Sequence, residues 1–467
     1  MRLFKLNFWV GLGLFSLITF TASSQKNIPI PTQPQLQWQN AELVALICWD
    51  LHAHDGEFYV QREARITPVE DYNIFNPQRY DTDQWIKTLK EAGFKIAILT
   101  VSHETGFFHH QSDATPYCMK ALKWQDGKGD ILRDFKASCE KYGILPGVYL
   151  GTRWNAFYGV YDFKVNGNNQ FAQNRQEHYN LMIENIVEEI FSRYGDWAIV
   201  WFDGGAHGPE QGGPDVLSVF EKYQLNCLFY HNLQRADMRW GGSESGTVPY
   251  PCWGTFPFPS TGAGESANEE IHASNFALLK HGDPDGEYYI PAMSDAPLRG
   301  QGGHDWFWEP GREHIIYPIE NLMEMYYNSV GHNTSLILGV TPNPDGLIPE
   351  ADSIRLLEFG KEIESRFSKP VASASGKGKT INLKLPKQQS VSQVVIMEDI
   401  SQGERVRKFF LEGKTADGWQ EIFKGSCIGH KFIHRFDALE VTAMRLIISK
   451  SIEEPQIIEF SVYCIEN

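Results

Sequence analysis

Tyr194-Gly-Asp-Trp-Ala-Ile-Val-Trp-Phe-Asp-Gly-Gly-Ala-His-Gly208 is the stretch that decides the fold. A turn signal opens it, six apolar residues follow, and the run stops at Asp203 before Gly204 and Gly205. A continuous apolar run bounded by glycine reads as a strand buried on both faces, as in a parallel sheet. The end of such a strand is where barrel enzymes keep reactive groups, which marks Asp203. The alternative for any strand-ending Asp is to cap the next helix. The paired glycines are expected to leave the far side of Asp203 bare for a ligand.

Outward from that strand, apolar runs alternate with helical patterns. Leu43 to Trp49, Lys95 to Val101 and Leu145 to Leu150 read as strands. Asp81 to Ala92 and Asp130 to Tyr142 read as helices, stopped by Gly93 and Gly143. Arg175 to Arg193 carries Tyr179, Met182, Ile183, Ile186, Val187 and Ile190 on one helical stripe. Further on, Asn226 to His231, Tyr288 to Ala292 and Ser335 to Val340 are extended. Val216 to Tyr223, Asn321 to Val330 and Ile354 to Arg366 are helical. About eight strands alternating with helices over roughly 330 residues imply an α/β chain with a TIM-type (β/α)8-like barrel and long insertions. An open doubly wound sheet is the alternative, but no GxGxxG or Walker pattern supports it.

After Lys369 the helical stripes give way to short alternating runs separated by Gly403, Asp417-Gly418 and Gly429. That texture predicts a β-sandwich. The expected division is a signal peptide over 1–24, a catalytic barrel over 25–370 and a galactose-binding-like β-sandwich over 371–467.

Arg2 and Lys5 precede an apolar run from Phe8 to Phe20, and Thr21-Ala-Ser-Ser-Gln25 supplies small residues for cleavage. These are the parts of a secretory signal. The expectation is an exported protein, periplasmic or secreted, without a membrane anchor. The formal charge of −16 argues against nucleic acid or an anionic membrane as partner. The 13 Trp, 19 Tyr and 29 Phe exceed what a core needs and suit a cleft that stacks sugar faces. Seven scattered Cys form no CxxC, so neither a structural zinc nor a cofactor is expected, and most of them read as small buried residues.

The residues that carry chemistry cluster at strand ends. Ser102 to Phe107 contains His103 and Glu104, and Arg153-Trp154-Asn155 follows the third strand. Trp240-Gly-Gly-Ser-Glu244-Ser-Gly246 and Asp305-Trp-Phe-Trp-Glu-Pro310 come later. Glycosidic hydrolysis needs two carboxylates flanking the bond and aromatic surface to hold the sugar. Asp203 and Glu244 are the expected pair, with Glu265, Glu269 and Glu270 competing with Glu244. Trp49, Asp50, His54, His103, Glu104, Trp154, Trp201, Trp306 and Trp308 are the candidate substrate contacts. His109-His110 reads as a solvated loop pair, and Trp419 as core of the sandwich.

The chain resembles the α-L-fucosidases of glycoside hydrolase family 29, in the branch with a C-terminal β-sandwich. The likeness rests on Ile74-Phe-Asn-Pro77 with Asp81 to Phe94, on Trp201-Phe-Asp-Gly204, on Trp240 to Gly246, and on Trp306-Phe-Trp308 with Tyr326 to Glu350. It implies a retaining exo-glycosidase acting on oligosaccharide or polysaccharide, with Asp203 as nucleophile and Glu244 as acid/base. Glu244 would then be held protonated by a dry setting or a nearby negative charge. Two departures stand out. The family's His-Trp-Gly is Cys48-Trp49-Asp50 here, and its Lys-His-His-Asp-Gly-Phe is Ser102-His103-Glu104-Thr105-Gly106-Phe107. The resemblance implies that those histidines contact fucose hydroxyls. Their replacement by Cys48 and Glu104 points either to a different glycone, such as L-galactose, or to other contacts such as Asp50, His52 and His54.

Two rival readings stay open. One is a sugar-binding relative that has lost turnover. The other is a metal-dependent barrel hydrolase using His52 and His54 of Asp50-Leu-His52-Ala-His54, with Asp203 and His231 recruited. The eighth strand ends in Val340-Thr-Pro-Asn343 and lacks the Asp that this second reading wants.

Overall fold

The computed structural model describes residues 28–262 and 276–465. The expected signal segment and Glu265, Glu269 and Glu270 lie outside these residues.

Eight strands form one parallel sheet: β1 (Leu43–Ile47), β2 (Ile96–Ser102), β3 (Leu145–Leu150), β4 (Ile199–Ala206), β5 (Leu228–Asn232), β6 (Arg239–Trp240), β7 (Ala292–Pro297) and β8 (Ser335–Val340). Their order is β5-β4-β3-β2-β1-β8-β7-β6. Pairing of β8 with β1 turns the sheet into a barrel, open only at the β5–β6 seam. Asp237 N donates to Phe229 O at 2.9 Å, tying the segment just before β6 to β5.

Alternation along β1 shows why a wholly apolar run was required. Leu43, Ala45 and Ile47 pack outward under the helices, while Val44, Leu46 and Cys48 fill the barrel. Buried Trp38 of α1 (Gln33–Ala41) joins the inner cluster. The outer layer contains α2 (Thr82–Glu91), α3 (Ile131–Tyr142), α4 (Gln170–Arg193), α5 (Val216–Tyr223), α6 (Ile319–Asn328) and α7 (Glu350–Phe367). Asp130 starts α3 by accepting from Arg133 N at 3.0 Å, and Gly143, left-handed at φ 67°, ends it.

Two strands depart from expectation. Tyr288–Tyr289 pairs with Thr255–Phe256 in an antiparallel ribbon, and the barrel strand runs on from Ala292 through Asp295. Ser294 and Asp295 break the apolar run although both are buried, so the sequence pattern stops too early. β6 is only two residues long and has no pattern to detect.

The C-terminal region is a six-stranded antiparallel sheet made of β9 (Ala372–Lys377), β10 (Thr380–Glu398), β11 (Val406–Thr415), β12 (Gly418–Gly425), β13 (Phe432–Ser451) and β14 (Gln456–Tyr463). The long strands β10 and β13 change register between Lys384 and Gln389 and again between Val391 and Gln393, bending the sheet around a core of its own. Trp419 is not in that core. It is 38% exposed, with the Arg445 guanidinium 4.1 Å from its ring centroid.

His109 and His110 are fully buried rather than solvated. Nδ1 of His109 lies 3.1 Å from Thr100 O, and Nε2 of His110 lies 3.2 Å from Glu189 in α4. All seven cysteines are free, and all but Cys464 are buried. Among the described residues no helix is long and apolar enough to cross a membrane.

Candidate active site

The site grows from the register of β3 on β4. Tyr149 is paired with Trp201, and both side chains point into the barrel. Two residues beyond Trp201, Asp203 points the same way. The Tyr149 hydroxyl donates to Asp203 Oδ2 at 2.9 Å. His103, just past β2, stacks on Tyr149 at 5.4 Å and meets Phe307 edge-on at 4.9 Å. Burial raises the Asp203 carboxyl, and the negative charges of Glu244 and Glu104 add to this. The His103 charge and the Tyr149 bond oppose the rise without cancelling it. Gly204 and Gly205 take φ values of 67° and 85°. The space beside Gly204 is not bare, however: a Cβ there would lie 2.9 Å from Arg153 Cδ. That glycine makes room for arginine, not for a ligand.

Opposite, the loop after β6 carries Glu244 and the loop after β7 carries His304 and Trp306. Trp306 Nε1 donates to Glu244 Oε2 at 3.0 Å, and His304 Nε2 contacts the same oxygen. Burial alone would raise Glu244, but the bonds from His304 and Trp306 and the His304 charge outweigh it, so the carboxyl is lowered. His304 is raised by the same bond. The expectation that Glu244 is held protonated is therefore corrected: the proton of this pair rests mainly on the histidine.

Asp203, Glu244, His103, Trp201 and Trp306 line one pocket with Leu46, Cys48, Tyr59, Gln61, Thr100, Tyr149, Asp295 and Phe307. Its cavity is about 70 Å³ and opens at the barrel mouth. His103 Nδ1 and Trp201 Nε1 are buried there and bond to no protein group among the described residues. Buried polar atoms need partners, and a hydroxyl-rich ligand supplies them. Burial pushes the Cys48 thiol up to about 12, so it lines the wall as a neutral group.

The other expected contacts lie elsewhere. Trp49 faces the outer core, stacked with Tyr80 at 6.0 Å and edge-on to Trp85 at 5.2 Å. Asp50 is buried and accepts from Leu51 N and the Thr105 hydroxyl, tying the end of β1 to the loop after β2. His54 packs on Phe75 at 4.6 Å, and burial lowers it to about 3. His52 pairs with Asp55 at 3.3 Å. Trp154 is covered by the Arg65 and Arg153 guanidinium groups at 3.6 and 4.5 Å. Trp308 is half-buried and Glu104 buried, and both lie outside the pocket lining. Sequence reasoning missed Tyr59, Thr100, Tyr149, Asp295 and His304. Of these, only His304, adjoining the quoted Asp305-Trp306 stretch, and Tyr149, near a strand end, carried a signal.

A parallel barrel with two carboxylates and aromatic rings at the C-terminal mouth defines a glycoside hydrolase. The sequence profile of the Alpha-L-fucosidase family matches residues 50–365, and the chain belongs to that family, glycoside hydrolase family 29. A putative α-L-fucosidase of Bacteroides thetaiotaomicron is 52% identical, superposes with a TM-score of 0.91, and is aligned over 94% of this chain and 100% of its own. A glycoside hydrolase 29 family member from an unknown rumen bacterium is 28% identical with a TM-score of 0.78, over 95% of this chain and 78% of its own. Alpha-L-fucosidase 1 of Arabidopsis thaliana is 27% identical over 93% of this chain and 88% of its own length.

Proposed function

We propose that this protein is a retaining exo-glycosidase that removes terminal α-L-fucose, or a sugar as close to it as L-galactose, from oligosaccharides or polysaccharides. Family membership supports the activity. The roles rest on one observation: Asp203 and Glu244 line a single pocket at the C-terminal mouth. Asp203 is the nucleophile. Its Oδ2 is held by Tyr149, which leaves Oδ1 to attack the anomeric carbon. Glu244 gives a proton to the departing glycosidic oxygen as the bond to Asp203 forms. It then takes a proton from water, whose oxygen attacks the anomeric carbon and releases Asp203. Between turnovers the Glu244–His304 pair holds the single proton this cycle needs. The signal-like residues 1–24 support export, so the substrate is met outside the cytoplasm.

A screen of aryl glycosides, α-L-fucoside and the α- and β-galactosides of both hands included, tests the activity. Asp203→Asn should lower turnover of the best substrate by several orders of magnitude with the fold intact. A loss under about tenfold would remove Asp203 as nucleophile.

A further inference from the structure

Glu104 stands where the family pattern has histidine, yet both of its oxygens turn to protein. Its side chain is buried: Oε2 accepts from the Tyr59 hydroxyl at 2.5 Å and Oε1 from Arg65 Nε at 2.7 Å. Tyr59 has two further anchors, since its backbone N donates to Glu309 Oε1 at 2.9 Å and its ring lies 4.8 Å from Phe307. The segment 55–65 is thus tied to the loop after β2 and to the loop after β7, across the barrel mouth. From it Tyr59 and Gln61 enter the pocket wall. Phe58 and Val60 turn outward, 65% and 46% exposed.

Burial and the Glu104 charge keep the Tyr59 phenol protonated. Its one proton goes to Glu104, so any bond toward the pocket must be accepted from the ligand. The ring otherwise presents bulk rather than polarity. We propose that Tyr59 is a specificity-determining residue of the sugar pocket, and that Glu104 is a positioning residue acting through it. The fixed aromatic wall favours a 6-deoxyhexose over a hexose with one more hydroxyl. This rests on the glycosidase reading above and narrows it.

Specificity constants for the 4-nitrophenyl α-L-fucoside and α-L-galactoside test this, together with calorimetric binding of free L-fucose and L-galactose. The proteins are wild type, Tyr59→Ala, Glu104→Ala and the double variant. Tyr59→Ala should raise the galactoside-to-fucoside ratio about tenfold or more, the scale on which one small substituent is discriminated. Glu104→Ala should shift the ratio the same way, and the double variant should match Tyr59→Ala alone. Tyr59→Leu serves in its place if Tyr59→Ala does not fold. A ratio indifferent to Tyr59 overturns the proposal. A further shift on adding Glu104→Ala also overturns it, because Glu104 would then read the sugar directly. Tyr59-dependent binding without cleavage by the wild type sinks the hydrolase reading and leaves this one standing. Cleavage with an indifferent ratio does the reverse, and neither binding nor cleavage overturns both.

Discussion

The Tyr149 hydroxyl donates to Oδ2 of Asp203 at 2.9 Å, from a position on the neighbouring strand paired two residues before it. The bond lowers a carboxyl that burial has raised. Tyr149→Phe should therefore raise Asp203 further and move the acidic limb of the kcat/KM profile to higher pH. The rate at the optimum should fall about 10- to 100-fold, the worth of one hydrogen bond to a charged group. An acidic limb that stays in place would show that Asp203 does not set it.

The pair formed by Glu244 and His304 makes a less obvious prediction. With both present, the last proton is lost from a histidine that Glu244 has raised above its ordinary value. The basic limb of kcat/KM belongs to the pair and lies correspondingly high. His304→Ala leaves the proton to a lone carboxyl, so that limb should move to lower pH and the active window should narrow. Glu244→Ala should be partly rescued by azide with a good leaving group. An upward move of the limb in His304→Ala would mean that Glu244 holds the proton without help.

Much of this was legible in the chain, for reasons that also mark the limits. β1, β3 and β8 are apolar on both faces, so the sequence pattern alone locates them. β7 contains Ser294 and Asp295, buried polar residues that look like a strand's end. Asp203 shows because glycines follow it and an apolar run precedes it. Tyr59 does not, because what brings it into the pocket is a bond to Glu104, 45 residues away in sequence. Trp49 was misplaced by one step of alternation: Cys48 takes the inward position and its neighbour must face out.

Arg299, after β7, forms a bidentate pair with Asp352 in the first turn of α7, at 2.9 and 2.7 Å, and both side chains are fully buried. Removing one partner strands a buried charge. Asp352→Ala should cost about 3–5 kcal/mol in denaturant unfolding while the folded fraction keeps its kcat. A loss under about 1 kcal/mol would show that Glu313, 4.0 Å away, takes over the guanidinium.

Asp295 is the third carboxyl of the pocket. Trp240 Nε1 donates to its Oδ1 at 2.8 Å, and burial, with the charges of Glu244 and Asp203, pushes it up to about 8. Below its unfolded value, near 3.9, the group is protonated in both states. Between that value and about 8 the unfolded chain gives up the proton while the fold keeps it. Stability therefore falls as pH rises through this window. Asp295→Asn imitates the protonated acid and has no proton to lose. Relative to wild type it should gain on the order of a few kcal/mol between pH 5 and pH 8.5, read from urea midpoints at the two pH values. Parallel pH dependences for the two proteins would place a charged carboxylate in the folded pocket.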